Sequence, residues 1–131
     1  MIYKFYKVKV IYFINGLTGE IQININKKLL AYIKYVRQEE AINTFYGLDP
    51  IQIQVLNAVV FALSDKRDGK VGDLLLLAHI ASPATIHAAL KKLIGNGLIS
   101  FRRATDSRAK YVELTELGLK RFNDLAKAIS K

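Results

Sequence analysis

From Ser82 to Thr115 the chain reads SPATIHAALKKLIGNGLISFRRATDSRAKYVELT, and no other stretch constrains the fold as strongly. Ser82 is a helix N-cap, with Pro83 at the first helical position, where its missing N–H costs nothing. Gly95-Asn96-Gly97 stops that helix. Leu98–Phe101 and Lys110–Leu114 then predict two short strands around a basic turn, and Thr115 caps a final helix. A small capped helix followed by a basic hairpin can place a helix in one groove of a duplex and a loop against the next. Nucleic-acid binding is therefore expected ahead of catalysis.

The totals agree with that reading without deciding it. The chain has 131 residues, enough for one core with an added arm. Hydrophobic residues at 51% and charged residues at 24% are an ordinary globular balance, and a net charge of +9 favours a polyanionic partner. There is no cysteine, so disulfides and thiol chemistry are excluded; a cytoplasmic location is expected. The apolar start MIYKFYKVKVIYFI is interrupted by Lys4, Lys7 and Lys9 before it could span a bilayer, so no membrane association is expected.

Along the chain, residues 2–14 and Glu20–Ile25 alternate polar with apolar around Asn15-Gly16, which predicts a β-hairpin. A rival reading makes the arm helical, because Ile25, Leu29, Tyr32, Ile33 and Val36 share one helical face. Strand character is expected early, then a helix from about Asn26 to Phe45. Asp49 caps the next helix with Pro50 at its first position, and Ile53, Leu56, Val60 and Leu63, with Val59 alongside, are its expected core over 50–63. Val71-Gly72-Asp73 opens a short helix running to about His79, with Leu74, Leu77 and Ala78 inward. Leu119, Phe122, Leu125, Ala126 and Ile129 lie on one side of the last helix.

Helical spacing divides residues 82–96 cleanly. Ile86, Ala89, Leu90, Leu93 and Ile94 face a core, and Ala84, Thr85, Ala88, Lys91 and Lys92 face the other way with His87 on the flank. Small side chains allow close approach to base edges, Thr85 can touch a thymine methyl, and the lysines suit phosphates. A plain solvated helix would carry the same residues. The hairpin shifts the balance: Arg102, Arg103, Arg108 and Lys110 cluster there, with Asp106 the one acid between Phe101 and Val112. Arginine suits both a narrow minor groove and bidentate contact to phosphate.

Residues from about Val71 to Leu117 resemble the winged-helix domain of the MarR family of transcription regulators. The resemblance is carried by Val71-Gly72-Asp73-Leu74, Ser82-Pro83-Ala84-Thr85-Ile86, Leu90-Lys91-Lys92-Leu93, Gly97-Leu98-Ile99, Asp106-Ser107-Arg108 and Leu114-Thr115-Glu116-Leu117-Gly118. It implies a mostly α fold with a small β wing (α+β), a winged helix-turn-helix with N- and C-terminal dimerisation elements. The expected division is an arm and helix over 1–47, the DNA-binding domain over 48–115 and a C-terminal helix over 116–131. The resemblance further implies a homodimer on a pseudo-palindromic site of double-stranded DNA, with dimer contacts expected from Ile25, Leu29, Ile33, Leu119, Phe122, Leu125 and Ile129. Ser82, His87 and the outward residues of the 82–96 helix would meet DNA beside the wing. Asp106 would brace Arg108 as the groove probe. The chain departs from the family in its longer, strand-like arm, in Leu75 and Leu76 at positions normally polar, and in a recognition face without arginine.

Other constellations carry less. His79 and His87 are the two histidines, with no carboxylate at ligand spacing, so neither a metal nor any cofactor is expected. His79 is read as a helix C-terminal residue facing the dipole, and His87 as a flank contact to DNA or a core edge. Glu39-Glu40 are adjacent on a helix and diverge, and there is no nucleophile elbow or phosphate loop, so an enzyme is not expected. Tyr3, Phe5, Tyr6, Tyr12, Phe13, Tyr32, Tyr35, Phe45 and Tyr46 crowd the N-terminal part. The resemblance would make them a pocket for a small aromatic effector, whereas core and dimer packing is the preferred reading. Two alternatives to a regulator share the fold: a protein–protein assembly module, and a replication factor that holds DNA.

Overall fold

Asn15 and Gly16 both take positive φ, 51° and 76°, the geometry that a two-residue hairpin turn matched to strand twist requires. They join β1 (Tyr6–Ile14) to β2 (Leu17–Ile25) in an antiparallel pair running from Ile14↔Leu17 to Tyr6↔Ile25. The computed structural model describes residues 6–105 and 108–129. Gly19 stands opposite Tyr12, whose ring occupies the space a Cβ at position 19 would fill. Asn26 then caps α1 (Lys27–Phe45), its Oδ1 accepting the Leu29 N–H at 2.8 Å. The strand reading of the arm holds, and Ile25 is the last residue of β2 rather than part of a helical stripe.

Chain compactness divides the molecule inside α1, into Met1–Glu39 and Glu40–Lys131. The last turn of α1 carries Asn43, whose Oδ1 accepts from Arg121 Nε and Nη2 at 3.1 and 2.6 Å; both residues are buried. That contact ties the end of α1 and the C-terminal helix into the second unit.

In that unit Asp49 and Gln52 form a reciprocal capping box that starts α2 (Pro50–Ser64). The buried face of α2 is Gln52, Val55, Leu56, Val59 and Ala62. Leu63 is exposed, and Ile53 and Val60 are half-buried, so the expected face is rotated. Gln54, Asn57 and Ser64 mark the outward side of the helix, and the capping Gln52 turns inward with the buried face. The next helix, α3 (Val71–Leu75), is shorter than expected; Leu76–Ile80 form turns, with Ala78 and His79 exposed past the helix end. Leu75 packs against the core while Leu76 is exposed.

Ser82 caps α4 (Pro83–Gly95), and Gly97 at φ 77° ends it. Strands β3 (Ile99–Arg103) and β4 (Lys110–Leu114) pair antiparallel, and Lys70 bridges Tyr111 at the hairpin's other edge. Val55, Leu56, Val59, Leu74, Ile86, Leu90, Leu93, Leu98, Ile99 and Val112 form one core from α2, α3, α4 and the hairpin base. The Thr115 hydroxyl donates to the Gly97 carbonyl and accepts the Gly118 N–H, which opens α5 (Glu116–Ile129). Later in α5, Lys120 and Asp124 are paired at 2.9 Å. The hydrogen bond from Lys120 holds the Asp124 carboxyl below its ordinary pKa, and Asp124 raises that of Lys120. Among the described residues no single helix is long and apolar enough to cross a membrane.

Candidate nucleic-acid interface

Helix α4 separates its faces as its spacing predicts. Ile86, Ala89, Leu90 and Leu93 are buried, and Ser82, Ala84, Thr85, His87, Ala88, Lys91 and Lys92 are all exposed. The Thr85 N–H donates to Ser82 Oγ at 3.3 Å, and the Ser82 hydroxyl donates to Thr85 Oγ1 at 2.9 Å. The cap therefore orients Thr85, which stays exposed. Two alanines beside it keep that surface low, and Lys91 and Lys92 follow in its last turns.

The β3–β4 hairpin is cationic in a patterned way. Ile99 and Val112 anchor one face in the core. On the opposite face Arg102 lies over its register partner Tyr111, 4.8 Å from the ring centre, and donates to Glu113 at 2.6 Å. Lys110 sits 5.6 Å above the Phe101 ring. Arg103 and Lys110 are direct register partners, a like-charge pair that costs stability and that a polyanion relieves. Arg103 and Arg108 are exposed, and neither is in an ion pair among the described residues. Asp106, the expected brace for Arg108, lies outside the described residues together with Ser107.

The expected wing arginines thus fall into two kinds. Arg102 is held and partly neutralised by Glu113, one residue beyond the Phe101–Val112 span in which Asp106 is the one acid. Strand alternation carried the signal: Arg102 and Glu113 share a hairpin face one diagonal step apart. Arg103 and Arg108 are exposed and have no ion-pair partner among the described residues.

The residues expected at a dimer contact are mixed in environment. Leu29, Leu119 and Ile129 are exposed, Ile33 and Leu125 are half-buried, and Phe122 packs against the core. A separate cleft of about 540 Å³ opens between α2, the 65–70 loop, α3 and β4, lined by Phe61, Arg67, Lys70, Leu74, His79 and Tyr111. Among the described residues none of the N-terminal aromatics lines it. Among the described residues no three His, Asp or Glu side chains converge as a metal site would require.

The sequence matches no family model and no curated protein. Solved structures do match in shape. The transcriptional regulator Tm0710 from Thermotoga maritima aligns with a TM-score of 0.61 at 16% identity, over 79% of this chain and 69% of that one. The YusO protein from Bacillus subtilis aligns at 0.56 and 18% identity, over 77% and 69%. The heme sensor protein PefR from Streptococcus agalactiae, in complex with heme, aligns at 0.52 and 17% identity, over 79% and 67%. What is shared at these identities is the fold, a winged helix-turn-helix in which α4 is the second helix of the turn motif and β3–β4 the wing.

Proposed function

We propose that the chain is a DNA-binding transcription regulator that acts as a homodimer on a pseudo-palindromic duplex site. The observation that carries the reading is that one compact lobe presents both a low, lysine-flanked α4 surface and an open arginine pair on the wing. Thr85, Ala84 and Ala88 meet base edges, and Lys91 and Lys92 meet phosphates. Arg103 and Arg108 reach the adjoining groove or backbone. With no arginine on α4, base readout is modest, and backbone contact supplies most of the affinity. The dimer forms through the apolar surfaces of α1 and α5, including the exposed Leu29, Leu119 and Ile129. No catalytic role is assigned.

Fluorescence anisotropy with duplex DNA across a salt series tests the reading. Binding weakens steeply as salt rises, and Arg108→Ala lowers the slope of log K against log salt by about one. A chain without salt-sensitive duplex binding is a protein-assembly module instead. An unchanged slope in the variant removes the wing from the contact surface.

A further inference from the structure

The N-terminal hairpin is a two-stranded sheet with nine residues in each strand, and among the described residues nothing pairs with either outer edge. Val10, Tyr12, Ile14, Leu17, Ile21 and Ile23 share one of its faces by register, and all are exposed, Ile14 at 61% and Leu17 at 72%. Isolated two-stranded hairpins are marginal in water, and a long edge of unmet N–H and C=O groups is a template for another strand.

We propose that β1 pairs antiparallel with β1 of a second copy of this chain, about a two-fold axis at Val10, to form a continuous four-stranded sheet. Three features of the strand point to its own copy. First, antiparallel self-pairing is what a two-fold axis imposes, and centring it on Val10 pairs all nine residues of Tyr6–Ile14. Second, the hydrogen-bond phase is correct. Ile14↔Leu17 closes the two-residue turn, so Ile14, Tyr12 and Val10 direct their backbone groups to β2, while Ile11 and Lys9 direct theirs to the free edge. In the Val10-centred register Lys9 meets Ile11 of the other copy, edge group to edge group, and Val10 meets Val10 as a close pair without hydrogen bonds. Third, the charges select this register. Neither Lys7 nor Lys9 has a lysine as register partner, and Lys9 is already compensated by Glu20 at 3.3 Å on its own chain. Centring the axis on Lys9 sets lysine against lysine, and centring it on Ile11 leaves the start of the strand unpaired. The outer edge of β2 is the weaker template, because Gly19 interrupts it with no side chain to pack.

The proposal is independent of DNA binding and needs only self-association. The chain has no cysteine, so single-cysteine variants of the full chain report the geometry cleanly. Val10→Cys, Lys9→Cys, Ile11→Cys and Ile21→Cys are oxidised by air with copper-phenanthroline, and mass is followed by light scattering. Val10→Cys forms a disulfide dimer at least about tenfold faster than the others, since only there do paired Cα atoms fall within disulfide reach. A maximum at Ile11 overturns the register, and one at Ile21 overturns the choice of strand. A dimer by light scattering that cross-links at no position overturns the hairpin contact and leaves the helical dimer standing. A monomer at all concentrations overturns both.

Discussion

The chain contains two antiparallel hairpins, and they differ in what holds them. In β3–β4 the strands are five residues long, yet Ile99 and Val112 are sealed in the core and the Val112 N–H donates to the Gly69 carbonyl at 2.7 Å. In β1–β2 the strands are longer and their apolar face is richer, yet those side chains stay in solvent. Strand propensity alone would rank them the other way. Burial against a neighbouring layer makes a short hairpin a fixed part of a fold, and alternation without a partner marks a surface still to be covered.

The largest effect falls where the wing hairpin is seated. Gly118 sits in the first turn of α5 with its Cα against the Leu98 carbonyl, and a Cβ there would overlap that oxygen and crowd Leu114. Gly118→Ala must push α5 off the base of β3, and we expect a loss of about 3 kcal/mol, roughly 10 °C in Tm. Thermal unfolding checks it, and an unchanged Tm would mean that α5 is not the clamp. The Leu-Thr-Glu-Leu-Gly run is thereby explained physically: threonine ties two backbone segments and glycine lets them touch.

A matched pair of truncations comes next. Val112→Ala removes a side chain at 2% exposure and should cost about 2 kcal/mol in denaturant unfolding. Ile23→Ala, on the N-terminal hairpin at 44% exposure, should cost less than about 0.5 kcal/mol. Equal losses would erase the distinction between the anchored hairpin and the uncovered one.

The sequence made some of this legible and not the rest, for physical reasons. Helix α4 mixes small, basic and apolar residues at clear helical spacing between a cap and a glycine, so its ends and both faces could be read. The first hairpin announced itself through alternation and Asn-Gly. Helix α2 could be located from Asp49-Pro50, but its polar residues fall on both sides, Gln52 inward and Gln54 outward, which hid the buried face. Helix α3 ends at Leu75, and the helix-forming run Leu75-Leu76-Leu77 carries no stop signal from which that end could be read. The Arg121–Asn43 contact was invisible, since it joins residues 78 apart and an arginine on a terminal helix is expected in water. Arg102–Glu113 was within reach, and needed the register of the wing rather than its composition.

The smallest effect separates charge from place. Each hairpin carries one diagonal ion pair, Arg102–Glu113 at 2.6 Å in the wing and Lys9–Glu20 at 3.3 Å in the arm, both about half exposed. Glu113→Gln should cost about 0.5 kcal/mol, because Arg102 also loses the carboxylate that steadies it over Tyr111, and Glu20→Gln should cost close to nothing. Both substitutions raise the net charge by the same amount. In duplex titrations Glu113→Gln frees Arg102 for phosphate, so affinity rises and the salt slope steepens by at most about one, while Glu20→Gln leaves the slope unchanged. An equal gain from both would mean that DNA responds to overall charge and that the wing holds no privileged position. A gain from Glu113→Gln alone locates the contact on β3–β4.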